Sequence, residues 1–129
     1  MGTGITLSKT NASQIASMPG FEGRYAREDG YNFGFESFAA AGDFTPMYRG
    51  LPDDLCQSHH WGYVIAGRMI FHRPEGDLVA EEGEAYYVGP GHTAEIGLPG
   101  TEVIEFSPAA EYDATMAVVA KNLAATTGA

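Results

Sequence analysis

Glycine and proline interrupt this sequence throughout its length, and they limit how long any regular element can be. Seventeen glycines and seven prolines are spread along most of the 129 residues rather than collected in one tract. Frequent turn residues combined with 12% aromatic residues are typical of many short strands. A chain of this length suits one domain with a real core. We therefore expect a single, mainly all-β domain in residues 1–129.

Short apolar stretches between the turn residues predict eight to ten strands. In YNFGFESFA, Phe33 and Phe35 alternate with small or polar residues, which is the period-two pattern of a half-buried strand. FTPMYRG is predicted to be a strand near a sheet edge, because Pro46 cannot donate to a ladder. Other strands are expected at residues 56–66, 68–73, 78–80, 85–88, 92–96 and 102–108, with a hairpin turn at residues 74–77.

The two ends of the chain differ from this strand-rich middle. Residues 1–20 form an expected N-terminal arm with at most one short strand or helical turn, around residues 7–16. The tail carries apolar side chains at intervals of four, three and four, which predicts a helix at residues 109–125 that covers the barrel or a partner. These apolar residues are Tyr112, Met116, Val119 and Leu123. The many strands in residues 21–108 favour a closed barrel or jelly roll.

The charge balance and the cysteine count exclude several classes of function. Seven basic and seventeen acidic residues give a formal net charge of −10, which repels phosphate backbones and anionic lipids. Nucleic acid and membranes are therefore not expected partners. A single cysteine excludes an intramolecular disulfide, and no apolar run follows a basic segment near the N-terminus. We expect a protein of the reducing cytoplasm.

The stretch CQSHHWGYVIAG contains the strongest candidates for metal ligands. On a strand that starts at Cys56, residues separated by an even number share a face, so His60 lies with Cys56 and His59 does not. The following residues on the His60 side are small, whereas Trp61 and Tyr63 on the other side are bulky. We therefore predict that Cys56 and His60 face the interior.

A second polar focus is GPGHT, where glycine and proline turn the chain just before His92. A thiolate with two neutral imidazoles is a plausible ligand set for zinc or ferrous iron. Asp54 shares the Cys56 face if the strand begins early, and it could supply or orient a ligand. Glu105, on the last strand, is a candidate further ligand or general base. Cys56, His60 and His92 are thus the predicted metal ligands, and Asp54 and Glu105 the predicted catalytic residues.

Each of these residues also has a purely structural interpretation. Cys56 could be a small buried side chain that packs in the core, and His92 could cap its own turn. His59 and His72 are interpreted as surface or packing residues. The large aromatic side chains of the same region are interpreted as core or subunit-contact residues, some of which could line a cavity; they are Trp61, Tyr63, Tyr86 and Tyr87.

The motifs GYVIAG followed by RMIF, and EGEAYYVGPGH followed by a final strand ending in SP, resemble a small single-domain cupin of the conserved-barrel type. The resemblance covers residues 44–108. In the first cupin motif, G(X)5HXH(X)3-4E(X)6G, Gly67 matches the last glycine. The three metal-ligand positions of that motif then hold Asp54, Cys56 and His60, in place of two histidines and a glutamate.

In the second cupin motif, G(X)5PXG(X)2H(X)3N, Gly83 and Gly91 match the two glycines. Its histidine position holds Ala94, and His92 lies two residues earlier on the same strand face. The resemblance implies a double-stranded β-helix, the cupin jelly-roll barrel, followed by a short C-terminal α-helix.

The resemblance also implies a divalent metal ion, with zinc or iron ahead of nickel and manganese, a small-molecule ligand in the barrel, and a homodimer. It leaves two functions open. One is a metal-dependent enzyme, such as an oxygenase, isomerase or lyase. The other is a non-catalytic module that binds or senses a small molecule, with a structural ion or no metal.

Overall fold

The computed structural model describes residues 3–127 and contains two packed β-sheets with one helix at the C-terminal end. The strands are β1 Gln14–Met18, β2 Phe21–Glu28, β3 Tyr31–Phe38, β4 Gly42–Asp43, β5 His60–Ala66, β6 Arg68–His72, β7 Leu78–Glu81, β8 Ala85–Val88, β9 Thr93–Ile96 and β10 Thr101–Pro108. Helix α1 is Ala109–Thr127, and two short 3-10 turns span Thr45–Tyr48 and Pro52–Asp54. The predicted all-β class with a C-terminal helix is confirmed.

The strands form one six-stranded and one four-stranded sheet, each joined by antiparallel pairs. The larger sheet has the order β1-β2-β3-β10-β5-β8, and the smaller has the order β4-β9-β6-β7. Their inner faces share one apolar core, in which Val64 and Val103 of the larger sheet meet Phe71 and Ile96 of the smaller. This two-sheet arrangement is a jelly roll, and it encloses a cavity beside the core.

The turn between β5 and β6 fixes which side of β5 faces inward. Gly67 has a φ of +86°, and a Cβ there would lie 2.6 Å from the Thr101 Cα, so only glycine fits. From this turn backward, Val64, Gly62 and His60 point into the barrel, as predicted for the His60 side. The space beside Gly62 is filled by Tyr86, whose ring lies 2.3 Å from the position of a Gly62 Cβ.

Three local expectations need correction. FTPMYRG is a 3-10 turn rather than an edge strand, because Pro46 suits the first turn of a helix and Asp43 accepts hydrogen bonds from the Thr45 N–H and hydroxyl. The strand predicted from Cys56 begins only at His60, and Cys56 forms an isolated bridge to His92 instead. In the N-terminal arm, a strand forms at Gln14–Met18, somewhat later than residues 7–16.

Helix α1 packs across the open end of the barrel and is tied down by polar contacts along its length. Arg27 makes two hydrogen bonds to Asp113, 2.5 and 2.9 Å long. Glu111 accepts hydrogen bonds from the backbone N–H and ring of His59, both 2.9 Å long. Asn122 donates to the carbonyl of Met47 in the first 3-10 turn and to that of Arg49 just after it. The helix is thus a fixed cover of the cavity. Within residues 3–127, it is also not apolar enough to cross a membrane.

Candidate metal centre

A cavity of about 190 Å³ lies between the sheets under α1. Its walls are largely aromatic and methionine side chains from both sheets and from the first 3-10 turn. The helix contributes one face, made of Tyr112, Thr115, Met116, Val119 and Leu123. The apolar side chains of the predicted helix therefore face the cavity rather than a separate partner. At one side of this cavity, three potential metal ligands come together.

Cys56, His60 and His92 bring their donor atoms within 4.8 Å of one another. The Cys56 Sγ lies 3.6 Å from the His60 Nε2, and the two imidazole rings meet edge to face with centroids 5.1 Å apart. All three side chains are buried, with exposed fractions of 1%, 7% and 1%. Cys56 and His92 are far apart in the sequence. A backbone hydrogen bond holds them together, because the Cys56 N–H donates to the His92 carbonyl at 2.7 Å.

The partners of the two histidines leave one nitrogen of each ring available as a ligand. His92 Nδ1 lies 2.7 Å from the Gly89 carbonyl, which can only accept, so Nδ1 carries the proton and Nε2 has a free lone pair. His60 Nδ1 lies 2.6 Å from the Ser107 hydroxyl and 3.3 Å from the Glu105 Oε1, while its Nε2 faces Cys56. A histidine whose far nitrogen meets a carboxylate or carbonyl is the usual arrangement of a metal ligand.

Burial keeps the two imidazoles neutral, as metal ligands must be, and it disfavours the charged thiolate of Cys56 when no cation is bound. It lowers the pKa of His60 and His92 to about 4, and their mutual repulsion as cations contributes for His92. Both rings are therefore neutral at pH 7, as metal ligands must be. Burial also raises the pKa of the Cys56 thiol, which lies 3.3 Å from the Thr115 hydroxyl of α1. A bound cation would reverse this cost, because coordination deprotonates a thiol.

Two carboxyl groups face the same cavity beside the histidines. Glu105 accepts a 2.5 Å hydrogen bond from the Tyr86 hydroxyl, and Glu36 accepts one of 2.7 Å from the Tyr25 hydroxyl. Burial raises the pKa of both carboxyls to about 7, and for Glu36 the charge of Glu105 contributes to that rise. Glu105 was among the predicted site residues, whereas Glu36 was not.

The strand pattern of β3 explains why Glu36 was missed. Its apolar residues Phe33 and Phe35 lie on the outer face of the sheet, where Phe33 packs against Phe106 with centroids 5.2 Å apart. The inner face of β3 carries Asn32, Gly34 and Glu36. The alternation identified the strand correctly, but the polar side of this strand faces the cavity.

Other candidate residues lie outside the centre. Asp54 is exposed, and its Oδ1 accepts a hydrogen bond from the Gly50 N–H, so the structure does not bring it to the cavity. His59 is bound to Glu111 on the outside of the barrel. His72 is held between Asp77 and Glu95, 2.8 Å from each. These positions agree with the interpretation of His59 and His72 as surface residues.

No family model matches the sequence, and no curated protein is significantly similar to it. Among solved structures, a structural-genomics protein of unknown function from Rhizobium leguminosarum is 15% identical with a TM-score of 0.61, over 82% of this chain and 97% of that one. An RmlC-like cupin from Shewanella frigidimarina is 16% identical with a TM-score of 0.53, over 81% and 92%. Ectoine synthase from P. lautus is 9% identical with a TM-score of 0.54, over 77% and 71%.

These likenesses and the two-sheet topology define the class: the protein is a jelly-roll barrel. Within that class its fold is that of the cupin jelly-roll barrel, as the sequence motifs indicated. The identities are low, so the likeness establishes the fold and leaves the chemistry to the residues themselves.

Proposed function

We propose that the protein holds a divalent metal ion on Cys56, His60 and His92 and acts on a small molecule in the adjoining cavity. The observation that carries this proposal is the convergence of three buried donor groups within 4.8 Å. A thiolate with two imidazoles favours zinc or ferrous iron, with nickel and manganese as alternatives. Three protein ligands leave a coordination position for substrate, as in catalytic sites. The cytoplasm is the proposed compartment, since its reducing conditions keep the Cys56 thiol free.

The cavity residues support a proton-transfer role beside the ion. When bound, such an ion supplies Lewis-acid chemistry and activates water or dioxygen, which suits an oxygenase, isomerase or lyase. Ser107 holds the His60 Nδ1 at 2.6 Å, with the Glu105 carboxyl beside it at 3.3 Å. The Glu105 pKa of about 7 suits a group that takes and returns a proton near neutral pH. Asp54 has no part in this proposal, because its carboxylate closes an exposed turn.

Metal analysis of protein purified without chelator tests the proposal. We expect close to one divalent ion per chain by elemental analysis, and uptake of one equivalent of zinc by the chelator-treated protein in a calorimetric titration. A protein that is purified without metal and takes up none would show that Cys56, His60 and His92 only pack. That result would leave a metal-free binding module as the function.

The alternative function is a non-catalytic binding or sensing module with a structural ion. The position of α1 favours it, because the Thr115 hydroxyl of this helix lies 3.3 Å from the Cys56 Sγ and restricts access to the site. A cobalt-substituted protein separates the two functions. Added azide shifts the visible spectrum of a centre with an open coordination position and leaves that of a closed, structural centre unchanged.

The outer face of the larger sheet supports a homodimer. Trp61, Tyr63 and Tyr87 are 42%, 43% and 49% exposed on neighbouring strands. On the other side of β5, the apolar row continues through Ile104 and Phe106 of β10. Single apolar side chains are common on protein surfaces, but a continuous apolar face such as this one is typical of a protein interface. A second copy of the chain is the proposed occupant, because two copies of one apolar face complement each other in a symmetric dimer.

Sedimentation velocity at micromolar concentration tests the dimer. We expect twice the monomer mass for the wild type and a monomer for Tyr63→Lys, since the introduced charge would be buried in the contact. Val79→Lys is the matched control, because Val79 is 46% exposed on the smaller sheet. A wild-type monomer, or equal dissociation by both variants, would contradict an interface at this face.

A further inference from the structure

The charge of the cavity is unbalanced. Among the described residues that line it, Glu36 and Glu105 are acidic, and none is lysine or arginine. Arg27 lies outside, 5.9 Å from the centre of the Tyr112 ring, and Asp113 already takes up its guanidinium. Cys56, as a thiolate, would balance one positive charge of a bound metal ion, and a single carboxylate would balance the other. The second carboxyl group then has no cation among the lining residues.

Glu36 is the carboxyl group farther along the sheet from the metal centre. It lies on β3 opposite Val103 of β10, whereas Glu105 contacts His60 directly. Within residues 3–127, the hydrogen bond to Glu36 comes from the Tyr25 hydroxyl. Its carboxyl therefore keeps acceptor capacity for a ligand in the cavity.

Aromatic rings surround this carboxyl. The Tyr25 hydroxyl donates to Glu36 at 2.7 Å, and Tyr48 and Tyr112 line the same cavity. The Tyr25 and Tyr112 rings are 5.9 Å apart at their centroids. Phe44 continues the wall and belongs to the lining of the same cavity. Aromatic faces beside a carboxylate attract organic cations, since the ring quadrupole and the negative charge act together.

We propose that the substrate or ligand of this cavity is a compact organic cation, an ammonium or quaternary ammonium group on a small apolar body, and that Glu36 binds the positive charge. The proposal deepens the function above and rests on it only in that both use this cavity. A cavity of about 190 Å³ takes a ligand of roughly five to eight non-hydrogen atoms, because an apolar cavity of about 150 Å³ holds benzene. A carboxylate ligand would meet two acidic groups and no lysine or arginine of the lining.

Three branched probes of related shape separate charge from shape. Tetramethylammonium is cationic and cannot coordinate a metal, tert-butanol is neutral, and pivalate is anionic. Their binding is measured by calorimetry on wild-type protein, on Glu36→Gln, and on Glu95→Gln as a control on the outer face of the smaller sheet. Each protein is tested both after chelator treatment and with zinc added, so that the result does not depend on the metal proposal.

We expect the wild type to bind tetramethylammonium in both forms and to bind pivalate at least tenfold more weakly in the chelated form. Glu36→Gln should weaken tetramethylammonium at least tenfold and change tert-butanol less than twofold, and Glu95→Gln should change neither. Three results would overturn the proposal: no binding of tetramethylammonium to the wild type, pivalate binding as tightly, or an equal response of cation and alcohol to Glu36→Gln. A chelated protein that binds the cation but takes up no zinc contradicts the metal centre alone.

Discussion

Replacing His92 by alanine is expected to lower the affinity for zinc by about 100-fold or more. The reason is the geometry of the ring: Nδ1 is held by the Gly89 carbonyl, so Nε2 is the nitrogen that points at Cys56 and His60. Loss of a residue that merely orients a ligand costs about 10–100-fold in metal affinity, and loss of the ligand itself should cost more. Competition with a chromophoric chelator measures the change. Thermal unfolding gives a second measure, since zinc should raise the melting temperature of the wild type and not of the variant.

The matched control is His59→Gln, which changes the neighbour of His60 on the outside of the barrel. His59 contacts Glu111 and the Trp61 ring rather than the centre, so its zinc affinity should stay within about twofold of the wild type. Equal zinc affinity in His92→Ala and the wild type would rule out the centre as described. A Cys56→Ser protein resolves the role of the cysteine, because unchanged affinity there would assign Cys56 to packing.

The separation of His60 from His59 could be predicted because a strand has a strict period of two. Small residues follow His60 on one face and bulky residues follow His59 on the other, and the structure has that parity. The proximity of Cys56 to His60 was predicted by placing both residues on one continuous strand, which the structure does not have. The two do not share a continuous strand; residues 57–59 form an irregular link, and the bridge to His92 brings the cysteine back.

Glu36 and Thr115 could not be identified from the sequence for two physical reasons. Parity shows which residues share a face of a strand, but not which face is inside when the outer face is also apolar, as with Phe33 and Phe35. Thr115 reaches Cys56 only because α1 lies across the barrel, a long-range docking that local patterns do not contain. The strand prediction for FTPMYRG was wrong for a local reason. Pro46 is compatible both with an edge strand and with the first turn of a helix.

The second large expected effect is a pH-dependent stabilisation by Glu36→Gln. Burial and the charge of Glu105 raise the pKa of Glu36 in the folded protein to about 7, above the ordinary value of 4.5. Folding therefore favours the protonated carboxyl, and the wild type loses stability as the pH rises from 4.5 through 7. Glutamine has the shape of the neutral acid and never ionises, so the variant avoids this loss. At pH 4 the two proteins should be similarly stable, and at pH 8 the variant should be more stable by about 1–3 kcal/mol.

Urea unfolding at pH 4 and pH 8, with chelator present, measures this difference. His60 and His92 also make stability depend on pH over a similar range. Burial lowers their pKa to about 4, so their contribution to stability increases as the pH rises, opposite to that of Glu36. To first order, the contribution of the two histidines cancels in the difference between the wild type and Glu36→Gln, since both proteins contain them. Glu102→Gln is the control of opposite sign: Lys9 and Ser37 lower the pKa of Glu102, so its loss should destabilise the protein at pH 8 more than at pH 4. Equal effects of Glu36→Gln at pH 4 and pH 8 would mean that Glu36 is as well solvated in the cavity as in the unfolded chain. The case for a buried acid that has no neighbouring lysine or arginine and attracts a cation would then fail as well.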